Sequence, residues 1–249
     1  LNNLKLRNEN IKGVIFDLGY SYTQIKDPQK GLSFNSSGEL NMMMGLNDFS
    51  AKEVINKLEV KELEKILKYF GDESDSKLIS KNIAKERKSK KIDTQKLVRI
   101  IENSKRKKHY RIHSSTKTFQ ALRIFVNKEI SELINGIISA TKLLKPGGKI
   151  LIVSFHSIED KIIKYFFTNF SKNKSKPSRY LPEDKIEKIA LFDKYKNKAL
   201  RPSAQEINQN SRARSAKLRF AIRSSNEFKY PQDMVEKFKT YLDLEGISV

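Results

Sequence analysis

Residues 13–19 read Gly13-Val14-Ile15-Phe16-Asp17-Leu18-Gly19, a short apolar run that ends on an acid and a glycine. A continuous apolar run of this length suits a parallel β-strand buried on both faces, since such a strand has no wet face to alternate with. Lys149 to Phe155, rich in Ile and Val, is a second run of the same kind. Between them, residues 116–144 place Phe119, Leu122, Phe125, Ile130, Ile134 and Ile137 at helical spacing. That spacing predicts one long amphipathic helix, stopped by Lys145-Pro146-Gly147-Gly148. Strand, helix and strand in this order predict an α/β sheet. In such sheets ligands sit at the carboxyl ends of the strands. Asp17-Leu18-Gly19 and His156-Ser157 occupy those two ends.

Further out, residues 20–48 are rich in Gly, Ser, Asn and Asp and read as a long loop. Loops of that length inside compact domains are usually functional or mobile. Ser50 with Glu53 forms a capping box that opens a helix. Leu63, Ile66, Leu67 and Phe70 follow at helical spacing, with Gly71 as the stop. Leu78, Ile79 and Ile83 mark another helix, and Asp93 or Thr94 caps a further one carrying Leu97, Ile100 and Ile101. Residues 50–103 therefore read as a small all-helical unit, closed by a basic run from Lys105 to Arg111. That run suits a solvated connector as well as an RNA contact.

Ser157 is placed to cap a helix with Ile162, Ile163, Phe166 and Phe167 on its apolar face. Residues 171–179 read as a flexible loop. Lys217 to Arg223 alternates, with Leu218, Phe220 and Ile222 on one side and Lys217, Arg219 and Arg223 on the other. This predicts a strand with one polar face, antiparallel or near an edge. Residues 231–242 read as a terminal helix.

The formal charge is +21, which points to a polyanionic partner such as nucleic acid, although a Lys- and Asn-rich codon bias supplies part of the lysine. With no cysteine and three histidines, a disulfide framework and a thiolate metal site are excluded and a zinc site is disfavoured. No metal is expected. The apolar runs are too short for a membrane span, so a cytoplasmic protein is the default, and an oligomer is compatible with the sequence.

Four stretches resemble one family. They are Phe16-Asp17-Leu18-Gly19-Tyr20-Ser21-Tyr22-Thr23-Gln24, His113 to Ile124 with Asn127 and Glu129, Ser154-Phe155-His156-Ser157-Ile158-Glu159-Asp160-Lys161, and Arg201-Pro202-Ser203 with Asn210 to Arg219. In order and spacing they are similar to the ribosomal small-subunit methyltransferase H family, also called MraW. The resemblance implies an α/β fold with a Rossmann-like class I methyltransferase sheet, incomplete at its N-terminus, and an inserted all-helical subdomain. It implies a methyltransferase core over residues 1–48 and 112–249 and a helical insert over 49–111. The implied activity is S-adenosyl-L-methionine-dependent N4-methylation of a cytidine in 16S ribosomal RNA, in the decoding region. The implied partner is small-subunit ribosomal RNA or a partly assembled 30S subunit.

The family's glycine-rich cofactor turn has no counterpart in this sequence, which starts at Leu1. The expectation is an N-terminally shortened chain that is inactive without that segment. A non-catalytic RNA-binding remnant, or an enzyme acting on DNA, are the competing readings. By resemblance Asp17 and Gln24 bind the cofactor. Asp17, His156 and Ser157 are the catalytic candidates, because an acceptor for the amine hydrogens would localise the nitrogen lone pair toward the methyl. Ser157 as a cap and Glu159 and Asp160 at a helix N-terminus have an equally good structural reading. The segment Lys194–Arg223 holds nine Lys/Arg and one acid. Arg201, Arg212, Arg214 and Lys217 are its candidate RNA contacts, together with Arg123 and Asn127 on the preceding helix.

Overall fold

The computed structural model describes residues 11–36, 38–45, 47–89, 91–106, 113–172 and 190–249. In chain order the first elements are β1 (Gly13–Asp17), α1 (Tyr22–Lys26), α2 (Ala51–Lys57), α3 (Val60–Gly71), α4 (Ser76–Glu86), α5 (Thr94–Ser104), α6 (Thr116–Val126) and α7 (Glu129–Leu143). Then follow β2 (Lys149–Ser154), α8 (Ser157–Asn169), β3 (Phe192–Tyr195), α9 (Ala204–Gln209), β4 (Lys217–Arg223), α10 (Gln232–Lys237) and α11 (Lys239–Glu245). They form two compact units, one joining the residues up to Gly19 with Glu132–Phe238, the other joining Tyr20–Ser131 with Lys239–Val249. The boundaries thus fall near 20 and 131, because residues 20–48 and α6 pack with the helices. No helix among the described residues is long and apolar enough to cross a membrane.

The first unit is built on a mixed sheet of order β1-β2-β4-β3. β1 runs parallel to β2, while β4 is antiparallel to both β2 and β3. One face carries the core. Ile150 pairs with Ala221 and Ile152 with Arg219, and all four are buried. Phe166 and Phe167 of α8 lie 5.4 and 5.2 Å, centroid to centroid, from the buried Phe192 of β3. On α7, a Cβ at Gly136 would lie 3.3 Å from the Phe16 ring, so the glycine lets the helix sit close to β1.

Two expectations about the strands are corrected. β1 is not buried on both faces: among the described residues it stands at the end of the sheet, and Ile15 is 73% exposed. In β4 the apolar and polar sides are reversed, because Arg219 and Arg223 lie in the buried layer while Leu218, Phe220 and Ile222 are only half buried. Arginine tolerates this position because its stem is apolar and its guanidinium finds acceptors. Arg223 donates to the carbonyls of Leu191, Ser224 and Asn226 at 2.8–3.1 Å.

The second unit is helical, with α3 packed on α4 and α6, and α4 on α5. Ser50 and Glu53 form the expected capping box, and Asp93 is the N-cap of α5. Gly71 ends α3 for a different reason from the one its sequence suggests. Asp72, not Gly71, adopts the left-handed conformation (φ 50°). A Cβ at Gly71 would come within 2.4 Å of the Lys117 carbonyl, so glycine is required by the approach of α6.

The single helix expected over 116–144 is two helices. The break is at Asn127-Lys128, where Lys128 takes φ 49°. Asn127 is fully used there. Its Nδ2 donates to the carbonyls of Met42 and Arg123 at 2.8 Å, and its Oδ1 accepts from Met44 N at 2.8 Å and Asn47 Nδ2 at 2.7 Å. These bonds anchor the 20–48 segment. That segment is therefore packed, with Leu32, Leu40 and Met42 buried, and it contains α1 and a 3₁₀ turn at Pro28–Lys30.

The terminal helix is also divided. Phe238 leaves helical geometry and buries its ring 5.4 Å from Tyr165. In α11, Glu245 accepts hydrogen bonds from the backbone N–H groups of Ile130 and Ser131, both at 2.8 Å, at the start of α7.

Asn127→Ala removes four hydrogen bonds and takes from the Met42 carbonyl and the Met44 N–H the partner they have here, so it should cost about 2–3 kcal/mol in a chemical denaturation series. Glu245 gives a pH test. Burial pushes its carboxyl from 4.5 up to about 7, against the backbone hydrogen bonds. Between those values the folded chain binds more protons than the unfolded one, so stability falls as pH rises from about 4.5 to about 7. The loss attributable to Glu245 is up to about 3 kcal/mol, and in Glu245→Gln this slope should disappear from the pH–stability curve.

Candidate active site

Parallel pairing sets the site. Asp17 lies in register with Val153, and Leu18 N donates to Val153 O at 3.1 Å. The carboxyl ends of β1 and β2 are therefore neighbours. After β1 the chain turns at Gly19, with φ 93°, and a Cβ there would sit 4.0 Å from the Phe155 ring. Phe155, just past β2, is 39% exposed, and Asp17 is exposed. An acid, a glycine turn and an aromatic ring thus share one sheet end.

His156 starts α8 as its N-cap, a role expected of Ser157. Its Nδ1 accepts from Glu159 N at 3.5 Å, and Glu159 Oε2 accepts from Phe155 N at 2.8 Å and His156 N at 3.2 Å. The histidine wins the position because this reciprocal box satisfies the free N–H groups of the helix start. Ser157 is instead exposed in the first turn. His156 Nε2 lies 3.1 Å from Glu159 Oε1, outside hydrogen-bond geometry, and has no hydrogen-bond partner among the described residues. Burial raises the Glu159 carboxyl, but the adjacent His156 imidazole and the two backbone N–H groups outweigh it and hold it below its ordinary value.

Next to this turn, Asp160 accepts from Arg219 Nε at 2.6 Å and Lys217 Nζ at 2.9 Å. Arg219 also donates to Tyr195 Oη and the Asn197 carbonyl, both at 2.6 Å. Burial works against ionisation of Asp160, and the two cations more than offset it, so its pKa is lowered. The network ties α8 to β4 and to the chain after β3. Sequence reasoning reached Asp160 and Lys217 but missed Arg219 and Tyr195. The usable signal was two cations spaced by two on a strand, which share a face and call for an acid on the packed helix.

The remaining candidates sit as follows. Gln24 closes a capping box with Ser21, its Oε1 accepting from Ser21 N at 2.9 Å. Arg123 forms a two-pronged ion pair with Glu129 at 2.7 and 2.9 Å, both side chains nearly buried, and its guanidinium lies 4.7 Å from the centre of the Tyr20 ring. Arg123 and Asn127 thus hold packing roles. Lys217 is engaged with Asp160, whereas Arg201, Arg212 and Arg214 are exposed around α9 and the 3₁₀ turn Ser211–Ser215. In the basic run, Lys105 pairs with the buried Glu73 at 2.5 Å, a structural use, and Lys107–Arg111 lie outside the described residues, as do residues 173–179.

The sequence profile of the MraW methylase family matches residues 1–224. The chain is 41% identical over 219 residues to the ribosomal RNA small subunit methyltransferase H of Rickettsia typhi, covering 87% of this chain and 72% of that protein. It is 42% identical over 219 residues to the protein of that name in Rickettsia akari, covering 87% and 72%. To its namesake in Bartonella grahamii it is 40% identical over 221 residues, covering 88% and 66%.

Asp160→Asn should lower stability by about 2–3 kcal/mol, because it strands the Arg219 guanidinium without its carboxylate. With a lowered folded pKa, the Asp160 contribution is present above the ordinary carboxylate pKa and lost as pH falls through the folded value. The acid limb of the wild-type stability curve should therefore be steeper than that of Asp160→Asn, read by thermal melts at graded pH.

Proposed function

The chain belongs to the MraW methylase family, and from that membership we propose that it transfers a methyl group from S-adenosyl-L-methionine to the exocyclic N4 of a cytidine in small-subunit ribosomal RNA, in the decoding region of the 16S molecule. The observation that carries this reading is the shared end of β1 and β2, where Asp17, Gly19 and Phe155 meet. We further propose that the mixed sheet is part of a Rossmann-like class I methyltransferase sheet, with residues 49–111, which carry α2–α5 within the larger second unit, as an inserted helical subdomain. The partner in this reading is small-subunit RNA or a partly assembled 30S subunit, met in the cytoplasm.

The residues at the tip fit a cofactor of this kind. An exposed carboxylate suits its cationic and hydroxyl-bearing parts, and a turn without a Cβ at Gly19 leaves the backbone approachable. When bound, S-adenosyl-L-methionine supplies an electrophilic methyl, so no metal is needed for activation. The Asp17 carboxylate is the group for the amine hydrogens: accepting from them concentrates the nitrogen lone pair. Phe155 presents a ring against which a base lifted out of its stack can rest. His156 and Glu159 keep the β2–α8 turn in place, and Ser157 lies one residue on as an exposed hydroxyl. Gln24 is the second cofactor candidate. Exposed Arg201, Arg212 and Arg214 supply charge for the RNA backbone.

The test is transfer of a labelled methyl to small-subunit RNA and to partly assembled subunits, followed by mapping of the modified base. It is run on the full-length protein, and label on N4 of one cytidine is expected. Label on DNA in preference, or on no RNA, overturns the reading. Asp17→Asn should lower kcat/KM about 100-fold, roughly 3 kcal/mol, with RNA affinity unchanged. An effect confined to the cofactor KM would assign Asp17 to cofactor binding alone.

A further inference from the structure

The helical unit contains a cleft of about 650 Å³ between α4 and α5. The packing of these helices does not require its polar lining, since Ile79, Ile83, Leu97 and Ile101 already form their buried faces. Two acids line the cleft and both are answered. Glu86 pairs with Lys96 at 3.1 Å, and Asp93 accepts from Lys96 N at 2.7 Å as the helix cap. Two cations are not answered: exposed Lys85 on α4 and exposed Arg99 on α5 have no ion-pair partner among the described residues. The surrounding stretch, residues 81–106, carries ten Lys/Arg against three Asp/Glu.

We propose that this cleft seats a stretch of RNA phosphodiester backbone, with Lys85 and Arg99 as its phosphate contacts. The inference rests on the reading of the chain as an RNA methyltransferase and gives the helical unit a binding role of its own. Shape argues for a chain rather than a small anion. The cleft is far larger than one phosphate, and its free cations stand on opposite walls. Charges spaced along a flexible polyanion meet both walls, with arginine as a fork and lysine as a point charge. Contacts of this type hold the backbone and read no sequence.

The experiment measures binding of a short mixed-sequence RNA hairpin to the full chain by fluorescence anisotropy across a potassium chloride series. Lys85→Ala/Arg99→Ala is compared with Arg201→Ala/Arg214→Ala and with Arg99→Lys. All these side chains are exposed, and circular dichroism checks that each variant folds. The cleft pair should weaken binding about tenfold and make the slope of log affinity against log salt shallower by roughly two, about one per cation. The loss should be the same for hairpins of unrelated sequence, and Arg99→Lys should retain most of the affinity. Unchanged affinity and slope in the cleft pair, with loss in the Arg201/Arg214 pair, overturns the cleft and leaves the proposed function standing. Absence of RNA binding by the wild-type chain overturns both. Equal displacement of the hairpin by polyglutamate of matched charge, or by millimolar inorganic phosphate, overturns the assignment to a phosphodiester backbone.

Discussion

The parallel pairing of β1 with β2 is the constraint on which the candidate site depends. A parallel ladder aligns chain directions, so the two carboxyl ends must lie side by side whatever the intervening chain does. With Asp17 in register with Val153, the residues that follow bring Gly19 near Phe155, where a Cβ on the glycine would sit 4.0 Å from the ring. A one-residue slip would turn Asp17 to the opposite face and remove the acid from the tip. Everything chemical in the proposed reaction descends from that register.

The turn that follows β2 is held from two directions. His156 and Glu159 satisfy one another's backbone groups at the start of α8. One residue on, Asp160 gathers Lys217 and Arg219 from β4. Because Arg219 is in the buried layer, its charge is tolerable only with this acid and the Tyr195 and Asn197 oxygens in place. The acids at the helix start thus serve packing and charge balance, while Asp17, Phe155 and Ser157 stay exposed.

In the helical unit a single amide has a comparable role. Asn127 interrupts what would be a continuous helix and uses both ends of its side chain to hold the 41–47 segment. The break also creates a helix start whose free N–H groups Glu245 covers from near the end of the chain. A carboxyl so buried is held there at the expense of its ionisation, which couples this contact to pH.

Much of this was legible without coordinates. The apolar runs 13–19 and 149–155, the stop at Pro146-Gly147-Gly148, and the caps at Ser50 and Asp93 are local properties of covalent geometry and side-chain reach, and the structure realises them where the residues stand. The same holds for the strand ends that carry Asp17 and His156. What only the tertiary structure decided is which face and which partner each element has. Periodicity alone could not reveal that Ile15 of β1 is exposed, that Arg219 and Arg223 lie inward, or that residues 116–144 break at Asn127. Nor could it show that Gly71 answers to Lys117 rather than to a turn. Each of these turns on groups distant in sequence, and an arginine, an asparagine or a glycine is stable in such a place only when a partner from elsewhere in the chain arrives to satisfy it or to leave it room.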